Sequence, residues 1–167
     1  MRDDARWNGG TDMKAFRRSV AASLALGLIG LGVLGVVLTG VAWLPCAGDQ
    51  TTEACYAAMG RPQHLVPLQV MWLISIGLVT GAFAIARSGF ERTLGVIALV
   101  IVIGMNYLTE CTLWLGFVGG HWDVPPGTGY AQTAAFVVAG LLIAFGSLLT
   151  SSSKPYTDEL GGADPVA

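Results

Sequence analysis

The apolar residues of this chain fall into four long runs, each apolar on every side rather than along one stripe. A bilayer core needs about 20 mostly apolar residues in helical form, and the stretches 19–44, 65–86, 93–117 and 131–149 meet that length. Three of them carry no charge, and the third carries only Glu110. Transmembrane strands are excluded, because they alternate apolar with polar over about ten residues. The pattern predicts four membrane-spanning helices, joined by an outer loop at 45–64, an inner turn at 87–92 and a second outer loop at 118–130. So short an inner turn makes the second and third helices antiparallel neighbours. The expected fold is all-α, an integral membrane four-helix bundle running up-down-up-down. A polar N-terminal tail at 1–18 precedes it, and a flexible tail rich in Ser, Pro and Gly follows at 150–167.

Composition sharpens this picture. Of 167 residues, 53% are hydrophobic and 12% charged, too few charges to clothe a water-soluble domain of this size. A net charge of -2 offers phosphate no attraction and excludes a nucleic-acid binder. Position matters more than number: eight of the nine basic residues flank the inner turn or lie in the two tails, and only Arg61 falls in an outer loop. The positive-inside rule then places both termini in the cytoplasm, in a cell (inner) membrane. The first run follows a basic segment but is too long for the apolar core of a secretory signal, so it is read as a permanent span.

Without a hydrophobic drive between helices in lipid, small residues carry their close approach. Gly77 and Gly81 form a G-x-x-x-G pair and are the expected packing seam, within one chain in preference to a homodimer. Ser23 with Gly27, Ala135 with Ala139, and Gly140 with Ala144 are weaker pairs of the same kind. Gly30, Gly32 and Gly35 spell G-x-G-x-x-G, but inside an uncharged span that spacing is no dinucleotide site, which needs a strand-to-helix turn.

Cys46 and Cys55 share the first outer loop, on the oxidising side, and are expected to form a disulfide that folds the loop into a cap. Cys111 is left over inside the third span. Quinone-linked thiol oxidoreductases of four helices use a C-x-x-C pair in a span, whereas Thr112, Leu113 and Trp114 follow Cys111 without a second thiol.

Glu110 is the most informative residue. An ionisable group within a span costs about 2.5 to 3.5 kcal/mol and faces the protein interior or a wet cavity. Asn106 lies one turn earlier on the same face, and His121 falls at nearly the same helical angle if the helix continues through Gly119 and Gly120. Gln69 sits at comparable depth on the second helix, and Thr39, Gln132 and Thr133 add polar groups near the outer ends of the first and fourth. A hydrogen-bonded group of Glu110, Asn106 and Gln69 that fixes helix register is the expected arrangement. Glu110, Asn106, Gln69 and His121 are also the candidates for binding a ligand or proton.

No metal or other cofactor is expected. His64 and His121 show no close ligand spacing, and no Ser-His-Asp grouping, paired carboxylates or phosphate loop occurs. Trp43, Tyr56, Trp122 and Tyr130 fall where interfacial aromatic anchors belong. These readings converge on a small multi-pass membrane protein without enzymatic activity, an accessory or scaffold subunit beside larger membrane-protein partners. Two alternatives stand next to it. One is an outward-opening site for a small cation, proton-coupled solute or lipid, centred on Glu110; the other is a thiol oxidoreductase using Cys46, Cys55 and Cys111.

Overall fold

The structure, a computed structural model, describes residues 9–118 and 124–152. Among these residues six α-helices follow one another: α1 (Gly9–Trp43), α2 (Glu53–Gly60), α3 (Leu65–Ile85), α4 (Gly89–Gly104), α5 (Tyr107–Val118) and α6 (Tyr130–Ser152). A 3-10 turn, Leu44–Cys46, closes α1, and no strand occurs among the described residues. Helices α1, α3 and α6 are each long and apolar enough to cross a membrane, and the bent pair α4–α5 makes a fourth crossing if it is counted as one span.

The apolar character of these helices does not follow burial. The most apolar windows of α1, α3 and α6 reach mean hydropathies of 2.4, 1.9 and 2.1, yet only 22%, 22% and 39% of those windows are buried within the protein. Leu26, Val33, Val70, Val100, Leu141 and Phe145 all point outward. Water would not tolerate that surface, whereas lipid does.

Helix α1 packs on α6 and α3, and α4 on α3 and α6. The shared core holds Leu28, Leu68, Val79, Ala98, Val102 and Phe136, all fully buried. The closest approach is between α1 and α6, and glycine makes it possible. A Cβ on Gly140 would sit 2.8 Å from the carbonyl oxygen of Ala25, and one on Gly32 would sit 2.9 Å from that of Thr133. A Cβ on Gly77 would meet nothing within 4 Å, and one on Gly81 only a methyl of Leu24 at 3.8 Å. Of the expected seam, Gly77 is exposed on α3 and Gly81 makes an ordinary contact with α1, whereas Gly140 lies hard against the α1 backbone and marks the tighter contact.

Three boundaries differ from those expected. Helix α1 begins ten residues before the apolar run, carried by Met13, Lys14, Ala15, Arg17 and Arg18, which are good helix formers. The first outer loop contains α2, which Thr52 caps by accepting the Cys55 N–H at 3.2 Å. The third run is not one helix: α4 and α5 meet at a 62° bend. The sequence Gly104-Met105-Asn106 explains the place of the bend. Glycine is a poor helix former, and Asn106 opens the new helix as its N-cap, its Oδ1 accepting the Leu108 N–H at 3.0 Å.

The start of α4 is fixed in turn by a capping box. Ser88 Oγ accepts the Glu91 N–H at 3.0 Å, and Glu91 Oε2 accepts the Ser88 N–H at 3.2 Å. Glu91 also receives the Thr150 hydroxyl at 2.7 Å, which ties the start of α4 to the end of α6.

Candidate functional site

The bend between α4 and α5 frees backbone groups in apolar surroundings, where each unpaired one costs about 1 to 3 kcal/mol. Side chains from two other helices meet them. Trp72 of α3 donates its indole N–H to the Val102 carbonyl at 2.7 Å. Gln132 of α6 accepts the Tyr107 N–H at 3.0 Å and donates to the Leu68 carbonyl at 3.0 Å. Gln132 is fully buried, so both ends of its amide are used where no water reaches. Asn106, 9% exposed, donates its Nδ2 to Gln69 Oε1 at 3.4 Å.

Glu110 completes this polar knot in a way the sequence does not suggest. Its Oε2 accepts the Gly129 N–H at 2.8 Å and its Oε1 accepts the Ala131 N–H at 3.4 Å. These amides open α6, so the carboxylate sits on the positive end of that helix dipole. Its backbone N–H bonds Asn106, but its carboxylate turns to α6 and not to Asn106 or Gln69. Gly129 makes the approach possible: its φ of 110° lies in the left-handed region, and a Cβ there would meet Leu68 and Thr39. Thr39 Oγ1, beside it, is buried without a hydrogen-bond partner among the described residues.

The disulfide-bearing end is closed over this knot. Cys46 and Cys55 are joined, with Cα atoms 4.8 Å apart, and pack with Trp43, Ala58, Met59 and Val124. The Thr128 carbonyl accepts the Trp43 indole N–H at 3.0 Å and lies 3.2 Å from His64 Nε2. The His64 ring meets Trp43 edge-on, with centroids 5.0 Å apart. Burial pushes the His64 imidazole below its usual pKa, opposed in part by the Thr128 bond. His64 thus fastens the loop before α6 to the end of α1. Cys111 Sγ lies 3.8 Å from the Thr128 hydroxyl and is free. Among the described residues no three His, Cys, Asp or Glu side chains are grouped to hold a metal. His121, like Trp122, lies outside the described residues.

A different concavity lies at the opposite end. A cavity of about 630 Å³ opens between α1, α3, α4 and α6, with Lys14, Arg17, Arg18 and Arg87 in its lining. Ala21, Ala82, Leu94, Leu142 and Ile143 form its apolar walls, and Glu91 and Thr150 close one side. Sequence reading assigned those cations only to orientation. Their shared face was legible in part, since positions 14, 17 and 18 follow helical spacing; the contribution of Arg87 needed the fold. No family model, curated protein or solved structure matches this chain.

Proposed function

We propose that this chain is a multi-pass inner-membrane protein of four spans, up-down-up-down with both termini cytoplasmic, acting as a non-enzymatic accessory or scaffold subunit of a larger membrane assembly. The observation that carries the reading is the engagement of Glu110, Asn106 and Gln132 within the chain itself, while Thr39 and Ser75 are buried without a hydrogen-bond partner among the described residues. Glu110, Asn106 and Gln132 all direct their hydrogen bonds to the chain's own backbone or to each other's neighbours. Such groups fix one geometry of α3, α5 and α6 rather than wait for a solute, which weighs against a transport site at Glu110. The closed Cys46–Cys55 bond, together with the missing C-x-x-C, weighs against thiol redox chemistry. The orientation rests on the arginines at one end and the disulfide at the other.

Purification of the tagged full chain from native membrane in mild detergent tests the subunit role. A stoichiometric complex with larger membrane proteins is expected, and a monodisperse lone monomer overturns it. Accessibility of tags at the two tails tests the topology. Cytoplasmic exposure of both is expected, and tails on opposite faces would exclude four spans.

A further inference from the structure

We propose that the cavity between α1, α3, α4 and α6 binds an anionic phospholipid, its phosphate among Lys14, Arg17, Arg18 and Arg87 and the upper part of its acyl chains along the apolar wall. The volume of about 630 Å³ falls within the range of small-molecule sites, about 300 to 1,000 Å³. Its lining is two-faced in the manner of a lipid. Four cations gather at the rim, and Ala82, Leu94, Leu142 and Ile143 continue inward as hydrocarbon.

Among the described residues these charges are not cancelled. Lys14, Arg17 and Arg18 share one face of α1, and the α3–α4 turn brings Arg87 beside them. Glu91, the one acid in the lining, is already occupied by the Arg87 and Ser88 amides and the Thr150 hydroxyl. No ion pair to the four cations occurs among the described residues. A lipid with an uncharged head would satisfy the wall and leave this positive cluster uncompensated. Free phosphate would satisfy the cluster and leave the wall wet. An anionic phospholipid answers both, and basic pockets between membrane helices recognise such head groups.

The inference rests on the reading that the chain spans a bilayer. Binding is measured in detergent, so its failure leaves the topology to be decided separately by tail accessibility. Full-length protein in nonionic detergent is titrated with tail-labelled phosphatidylglycerol and followed by fluorescence polarisation. Unlabelled phosphatidylglycerol, phosphatidylcholine of the same chains, and inorganic phosphate serve as competitors. Phosphatidylglycerol is expected to compete about tenfold better than phosphatidylcholine, and millimolar inorganic phosphate not to displace the label. R17Q/R87Q should bring the two lipids to within about threefold of each other. K14Q/R18Q alters only exposed side chains and carries the same expectation should the first pair fail to fold. Equal competition by both lipids overturns the proposal. So does displacement by inorganic phosphate, or a preference that survives in folded K14Q/R18Q.

Discussion

The Glu110 carboxylate accepts the Gly129 N–H at 2.8 Å, so the one acid in the middle of an apolar run is the N-terminal anchor of the helix that follows it. Charge-assisted bonds of this kind are stronger than neutral ones, and a helix N-terminus favours an anion by about 0.3 to 2 kcal/mol. Glu110→Ala should destabilise the protein by about 1 to 3 kcal/mol, since it leaves the Gly129 and Ala131 amides without their acceptor. Glu110→Gln keeps one acceptor oxygen and should lose less. Reversible unfolding in detergent with increasing SDS, followed by circular dichroism, measures both. An E110A protein as stable as the wild type would exclude the anchoring role.

Gln132 serves two backbones at once. Replacing it with Leu removes the acceptor of Tyr107 N–H and the donor to Leu68 O. The expected loss is about 2 to 4 kcal/mol, from an orphaned amide and a disturbed bend. The same SDS titration reads it. The effect should exceed that of Trp72→Phe, which leaves only the Val102 carbonyl without its indole partner.

The disulfide should contribute about 2 to 3 kcal/mol on the chain-entropy model for a loop of this length. C46S/C55S should therefore melt at a lower temperature than the wild type while retaining its helix content. Mass shift on thiol alkylation, with and without reductant, verifies the bond in the wild type. Two alkylated cysteines from that loop in unreduced protein would show it absent.

Stability should also depend on pH through His64. Burial lowers its folded pKa below the ordinary value of 6.5, so above that value the ring is neutral in both states and contributes no pH dependence. As pH falls below it, the unfolded chain takes up a proton that the folded protein resists, and stability is lost down to the folded pKa. Melting temperature measured from pH 7.5 to 5 should decline for the wild type and decline less for His64→Gln. Parallel profiles for the two proteins would exclude His64 as the source.

Glycine substitutions separate the true seam from the apparent one. Gly140→Ala should cost about 1 to 3 kcal/mol, because its Cβ would press on Ala25 O and Ile29. Gly77→Ala meets open space and should be neutral or stabilising by up to about 1 kcal/mol, through helix propensity alone. Should Gly77→Ala shift the protein from dimer to monomer on size-exclusion chromatography with light scattering, the G-x-x-x-G pair would be a contact between copies.

What the sequence made legible follows from the range of each interaction. Hydropathy marks the apolar runs, because that signal is local and strong. The pairing of Cys46 with Cys55 follows from two cysteines in one loop. The capping box is not read, because residues 87–92 are assigned to a turn and the apolar run begins only at 93, although Ser88 and Glu91 stand at its spacing. Nor is the bend, because averaging over 93–117 hides Gly104-Met105-Asn106 inside an apolar run, and its partners Trp72 and Gln132 lie far away in sequence. The acceptor role of Glu110 was missed for the same reason, as its amides belong to another helix. Helix rotation also escaped. Gly32 and Gly35, whose spacing imitates a nucleotide motif, lie against α6, as does Gly40 beside Tyr130.

The α4–α5 bend also imposes an order on biosynthesis. Val102 finds its donor in Trp72, which has already been made, but Tyr107 and Glu110 depend on residues 129–132, which emerge from the ribosome later. Until α6 is in place, the Tyr107 N–H and the Glu110 carboxylate lack these partners. Among the described helices α6 is therefore the latch that closes the bend.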